Sequence, residues 1–243
     1  MILRIKKFLK DLLLFIPATL IIAPLNKLML FLVFYNRMIL WIYKNKNGLL
    51  LCDFYTPFRD YEKRYHLYQT ILDHHQLSTK KIAYLEFGVA SGSSFNWWLK
   101  QNNNTESLFR GFDTFEGLPE NWGGYAKGAM AHGVPVAGDQ RAAYVKGLFQ
   151  ETVNQFLTNN HPHISDSSYT RVIHLDADLY SSTAFVLSQL YPYLKKGDLI
   201  LFDEFNVPLH EFRAYDEFTR NFYVQLKPIA AVNNFYQTAF EVV

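Results

Sequence analysis

"KIAYLEFGVASGSSFNWWLKQ" (81–101) decides the fold. Its first part, "KIAYLEFGV", is a short apolar run that reads as a buried strand and breaks at Gly88. "SSFNWWLKQ" (93–101) then reads as a helix, with the hydroxyl of Ser93 or Ser94 as its expected N-cap. Strand, glycine turn and helix in that order form the repeating unit of a parallel sheet, so the question is whether the unit recurs.

It does. "SLFRGFDTF" (107–115) is a second apolar run, and "AYVKGLFQETVNQFL" (143–157) begins as a short strand and continues as a helix. "RVIHLDADLY" (171–180) and "DLILFDEF" (198–205) are strong buried strands. They are followed by predicted helices in "SSTAFVLSQLYPYLKKG" (181–197) and "HEFRAYDEFTRNF" (210–222). "VQLKPIAAV" and "FYQTAFEVV" flank Asn233-Asn234 and predict a hairpin. Upstream, Tyr61, Tyr65, Tyr68, Ile71 and Leu72 recur at helical spacing within 58–75. The expected fold class is therefore α/β: a doubly wound, mainly parallel seven-stranded sheet with an antiparallel C-terminal edge hairpin. Residues 119–140 hold five glycines and read as a long loop or lid, with Trp122 and Tyr125 as stacking faces.

Two domains of unequal kind are expected, 1–46 and 47–243. The first carries Arg4, Lys6, Lys7 and Lys10, then the uncharged "LLLFIPATLIIAPL" (12–25) and further apolar runs to Tyr43. No small-x-small cleavage site marks it as a signal peptide. A spanning helix needs about 20 apolar residues, and Pro17 and Pro24 would kink this one. An in-plane membrane-surface anchor fits its basic and apolar faces better. The competing reading is a pair of helices packed on the catalytic domain or on a second copy of the chain.

Composition removes several classes. A formal net charge of +2 without a basic stripe speaks against a nucleic-acid partner. The single cysteine, Cys52, forbids an intrachain disulfide or a thiolate metal cluster and suits a reducing compartment.

Two constellations carry chemistry. The first is Glu86-x-Gly88-x-x-x-Gly92, with Ser93 opening the helix and Asp113 ending the next strand. Gly88 lets backbone approach a ligand, and an acid at the second strand end commonly accepts hydrogen bonds from ribose hydroxyls. The spacing departs from the dinucleotide fingerprint, which favours another nucleoside-containing cofactor over a nicotinamide. The second is Asp176, Asp178, Asp203 and Glu204 on two strand ends. Residues i and i+2 of a strand share a face, which would align Asp176 with Asp178. Two carboxylates about 4 Å apart repel by roughly 4 kcal/mol at an effective dielectric near 20, so such a group invites a cation. All-oxygen donors suit Mg²⁺, Mn²⁺ or Ca²⁺ rather than zinc. His174 shares their strand face, as a satisfied core histidine or as an aid to proton transfer. Simple capping by Asp178 and Asp203 accounts for only part of this set.

Taken together, "YLEFGVASGSS", "FRGFDTFEGLPENW", "VKGLFQETV", "HLDADLYSST" and "GDLILFDEF…EFRAYDEF" resemble the macrocin O-methyltransferase family over roughly residues 80–220. The resemblance implies a Rossmann-like methyltransferase fold with S-adenosylmethionine (SAM) at Glu86–Gly92 and near Asp113. It also implies a divalent metal, Mg²⁺ or Mn²⁺, at Asp176, Asp178, Asp203 and Glu204, and methyl transfer to a hydroxyl, with sugars as the family's acceptors. Two departures stand out: Asp203-Glu204 replaces paired aspartates, and Ala177 stands where glycine is common. Asp178 and His174 are then the expected proton handlers. The acceptor would be a small molecule or a glycan precursor, lipid-linked if the anchor holds. The domain would stay in the cytoplasm, where SAM is, against the inner membrane face. The rival readings are a metal-dependent glycosyltransferase using the Asp-x-Asp and a catalytically silent membrane-associated scaffold.

Overall fold

The computed structural model describes residues 2–15, 19–122 and 124–243. Pro17, expected to kink the N-terminal segment, lies outside them; Pro24 sits inside a continuous helix. The parallel repeat is present. Strands β2 (Ile82–Phe87), β3 (Leu108–Asp113), β4 (Ala142–Lys146), β5 (Thr170–Leu175) and β6 (Leu199–Phe202) pair parallel to one another. The C-terminal hairpin of β7 (Leu226–Val232) and β8 (Gln237–Val242) joins through an antiparallel β6–β8 pairing.

The sheet has eight strands rather than seven, in the order β1-β7-β8-β6-β5-β2-β3-β4. The extra strand, β1 (Leu51–Cys52), pairs parallel with β7, so the hairpin does not form the edge. Two residues are too few to show a period of two in sequence. The predicted strands also overrun. β5 stops at Leu175 and β6 at Phe202, leaving all four expected carboxylates in the turns beyond.

Helices cover both faces, and β2 and β6 are buried along their whole length and β5 from Arg171 onward. On one face, α3 (Lys63–His74) and α4 (Ser93–Gln101) pack through Tyr68, Ile71, Phe95 and Trp98 onto Tyr84, Phe109 and Val172. On the other, α5 (Phe149–Asn159), which runs on into the short α6 (His161–Ser165), together with α7 (Tyr180–Leu190) and α8 (Glu211–Asn221), covers Leu85, Phe87, Ile173 and Phe202. The N-cap of α4 is Gly92, in a left-handed conformation (φ 81°), and no serine hydroxyl caps it.

Of the N-terminal helices, α1 (Ile2–Phe15) and α2 (Thr19–Asn45), the second belongs partly to this core. Phe34, Met38 and Ile42 are buried in it, and Trp41 packs against Phe205, Tyr215, Phe235 and Phe240 with ring centroids 4.9–5.8 Å away. The Trp41 indole N–H donates to the Tyr215 hydroxyl at 3.0 Å. Trp41→Ala is expected to cost about 3 kcal/mol in urea denaturation. Leu40→Ala, on the exposed side of the same turn, should stay within about 0.5 kcal/mol.

Candidate active site

The site is built where the ladder runs past the strand ends. Beyond its last residue each strand places one more backbone bond: Gly88 N–H to Phe112 O, Asp176 N–H to Phe87 O, Asp203 N–H to Leu175 O. These bonds hold three turns side by side at the carboxyl edge, where ligands bind in such sheets. Gly88 adopts φ 92°, and a Cβ on it would stand 1.8 Å from the Asp176 carbonyl oxygen. Any side chain there would push the two turns apart.

The turns close over a cleft of about 540 Å³, within the range of small-molecule sites. Gly88, Ala90, Asp113 and Thr114 line it together with Leu148, Phe149 and Gln150. Asp176, Asp178, Asp203 and Glu204 also line it. Asp113 does more than the sequence suggests: its Oδ2 accepts from the Val89 and Ala90 N–H groups at 2.8 and 2.9 Å, and its Oδ1 from Phe115 N–H at 2.8 Å. It clamps the glycine turn, while an ionised carboxylate keeps lone pairs for a ligand hydroxyl.

Glu86, Gly92 and Ser93 do not line the cleft. Glu86 is buried beneath it and accepts a short hydrogen bond from the Tyr84 hydroxyl. His174 lies in the same buried network, its Nδ1 2.9 Å from Tyr84 Oη and its Nε2 3.3 Å from Tyr68 Oη. Because Tyr84 donates to Glu86, the proton between Tyr84 and His174 sits on Nδ1. The proton-transfer expectation for His174 is therefore corrected: it is a satisfied core histidine facing α3 and α4, out of reach of an acceptor.

The carboxylates converge, but not as the pleat predicted. Asp178 lies beyond β5 at φ 56°, a left-handed conformation that aspartate tolerates, so the turn sets its direction rather than strand alternation. Among the described residues no group of three or more His, Cys, Asp or Glu side chains is arranged to hold a metal ion. The expected four-carboxylate set is not preassembled because protein groups already engage it. Arg64 of α3 pairs with Asp203 at 3.7 Å, and the Tyr236 hydroxyl donates to Glu204 Oε1. Glu204 Oε2 is nonetheless buried without a partner, and Asp203 Oδ1 has the Arg64 contact but no hydrogen bond, so the cluster is incompletely satisfied.

Burial and crowding show in the proton affinities. Burial, then Asp203 and Asp178, push the Asp176 carboxyl well above the usual range. Burial, then Asp203 and Asp113, raise Asp178 to about 6. Burial outweighs the Tyr236 hydrogen bond at Glu204 and, with Asp178 and Asp203, raises it to about 8.

Arg64, Tyr236 and Glu211 were not anticipated. Glu211 is fully buried at the start of α8, and its Oε2 accepts the Glu204 N–H at 2.8 Å. Arg64 stands one turn before Tyr68 on α3, but no spacing in the sequence shows that it meets the acidic strand ends. The described residues of the glycine-rich loop are held by specific contacts. Leu118 N–H reaches Ala129 O at 2.9 Å, and Trp122 stacks on Tyr125 at 5.7 Å and 14°. Ser181 Oγ donates to Glu120 at 3.1 Å, tying the loop to α7.

Asp178 and Glu204 hold protons more tightly folded than unfolded. Their stabilising contribution is full below the ordinary carboxylate range and is lost as pH rises through about 6 and then about 8. The thermal midpoint of the ligand-free protein should fall between about pH 5 and 8.5, and a combined Asp178→Asn, Glu204→Gln variant should flatten that slope. An undiminished slope in the variant would place its origin elsewhere.

Residues 85–205 match a methyltransferase-domain family, Methyltransf_24. No curated protein matches the chain in sequence. Among solved structures, CalS11, a calicheamicin methyltransferase, superposes with a TM-score of 0.54 at 19% identity, over 86% of this chain and 91% of that one. The O-methyltransferase NovP superposes at 0.50 and 17% identity, over 70% and 74%. At such identities the likeness is one of fold, and it agrees with the sheet order and the antiparallel hairpin. Residues 85–205 thus form a methyltransferase domain, and the protein is an enzyme of methyl transfer.

Proposed function

We propose that the protein is a SAM-dependent O-methyltransferase of the macrocin type, acting on a hydroxyl of a sugar or glycan precursor with the help of a divalent cation. The observation that carries this reading is the shared cleft. A glycine turn and Asp113 line one part of it, and acidic groups able to take a proton line the rest. Gly88, Ala90 and Asp113 would hold the nucleoside part of SAM, with Leu148 and Phe149 as its apolar wall. The stacked Trp122 and Tyr125 rings at the rim suit the face of a sugar.

Asp178 is the proposed base. In the cation-free site its carboxyl is raised to about 6, so at neutral pH it is largely ionised and able to accept a proton. Bound SAM would supply the methyl group, its carbon–sulfur bond breaking as the acceptor oxygen bonds to that carbon, and Asp178 would take the hydroxyl proton. Arg64 holds Asp203 in place and offsets part of the acidic field. Asp178, Asp203 and Glu204, with Asp176 behind them, would hold Mg²⁺ or Mn²⁺. The partnerless Glu204 Oε2, the Asp203 Oδ1 that accepts no hydrogen bond and the all-oxygen donor set support that fit. Such a cation would lower the pKa of a hydroxyl it touches. We place the enzyme in the cytoplasm, where SAM is available, with α1 and α2 at the inner membrane surface.

Calorimetry of the full chain with SAM tests the cofactor, with NAD and a UDP-sugar plus Mn²⁺ as controls. Saturable SAM binding, lost in a folded Gly88→Val variant, is expected; binding of the UDP-sugar alone would return the Asp-Ala-Asp turn to a glycosyltransferase. With an acceptor in hand, Asp178→Asn should lower kcat by about 10²–10⁴ while leaving SAM affinity within about threefold. Chelator should abolish turnover and Mg²⁺ restore it, whereas turnover indifferent to chelator would remove the cation from the reaction.

A further inference from the structure

Only the second half of α2 is committed to the catalytic domain. Phe34, Met38, Trp41 and Ile42 form one buried stripe, and Arg37 pins it through Asp216 at 2.8 Å. The preceding turns expose Leu25, Leu28, Met29, Phe31, Leu32 and Val33 around the whole circumference of the helix. A helix apolar all round needs an apolar surround. Helix α1 likewise exposes Ile2, Leu3, Phe8 and Leu13 beside Arg4, Lys6, Lys7 and Lys10, with Asp11 as its one acid.

Residues Ala23–Asn45 are long and apolar enough to cross a membrane by length and composition, with a mean hydropathy of 1.3. The buried stripe argues against a crossing. With residues 34–42 held on the domain, residues 23–33 extend ~16 Å at ~1.5 Å per residue, about half of a ~30 Å hydrocarbon core. That length suits one leaflet.

The free half of α2 also emerges beside the cleft. Lys27 lies within electrostatic range of His210, whose ring stands 6.4 Å edge-on from the cleft-lining Trp122. Arg213 packs on Phe34 of α2 at 5.5 Å and on Tyr180 at 3.9 Å, two residues after Asp178.

We propose that α1 and the free half of α2 enter one leaflet of an anionic bilayer, setting the cleft mouth against the headgroups, so that the acceptor is a membrane-held amphiphile whose hydroxyl projects from the surface. Charge selects the occupant. A second copy of the chain would bring the same four cations of α1 and repel, whereas anionic lipid neutralises them. The acceptor clause rests on the methyltransferase reading; the docking clause does not.

The test uses the full chain with Cys52→Ser and one new cysteine at Leu28, Gly124 or Asn103 carrying a fluorophore. Vesicles are phosphatidylcholine alone or 3:1 with phosphatidylglycerol, with and without brominated acyl chains. Binding is expected to be at least tenfold tighter to the anionic vesicles, and Lys6→Glu, Lys7→Glu and Lys10→Glu together should erase that preference. Brominated lipid should quench probes at 28 and 124 but not at 103, which lies at the opposite end of the sheet near Ser78. No vesicle binding, concentration-dependent dimers instead, or quenching at 28 without 124 would each overturn the proposal. SAM calorimetry on the same sample separates the two readings. SAM binding without vesicle binding removes this proposal and leaves the methyltransferase reading, and vesicle binding without SAM binding removes the acceptor clause.

Discussion

The close passage of Gly88 beneath the Asp176 carbonyl is the contact on which the rest of the site depends. It brings the turn after β2 against the turn after β5 without an intervening side chain. Asp113 then fastens the first turn from the other side through two backbone N–H groups. Three strand ends become one surface. A cofactor pocket and an acidic pocket therefore share a wall, and a group held in one can reach a group held in the other. A methyl group moves only between partners in van der Waals contact, so this shared wall matters more than any single side chain.

The acidic pocket is costly to fold. Asp176, Asp178, Asp203, Glu204 and the fully buried Glu211 gather under a few cationic or hydroxyl partners. Arg64 reaches them from α3 and Tyr236 from the hairpin, elements far apart in sequence. Local repulsion of this kind persists only where surrounding packing overrides it, and Trp98, Phe202, Phe205 and Phe240 supply that packing. Raised proton affinities are its visible trace, and they make Asp178 a better base than an exposed aspartate.

Most of the fold was legible in the sequence because its signals are local. "KIAYLEFGV", "RVIHLDADLY" and "DLILFDEF" are short apolar runs stopped by glycine or acid, and each became a central strand. The same rule misplaced their ends, since Asp176 and Asp203 continue the run by composition while the chain already turns. Asp176 and Asp178 do line one cleft, but not by strand alternation: a left-handed residue looks pleated until its φ is known. The strand β1 was too short to announce itself. His174 was read on the correct strand, but its partners Tyr68 and Tyr84 lie 106 and 90 residues away, where no spacing rule reaches. Arg64 was hidden likewise, because its helix was legible and the sheet end it meets was not.

Trp41 makes the N-terminal arm something other than a detachable tether. Its ring rests on Phe205, the neighbour of Glu204, and on Phe235, the neighbour of Tyr236. The two residues that define one corner of the acidic pocket are thus one peptide bond from the seat of α2. Trimming the chain at residue 46 would not free a catalytic domain but would open its hydrophobic core. A lineage could not lose the arm without repacking that core, nor exchange it freely for another address.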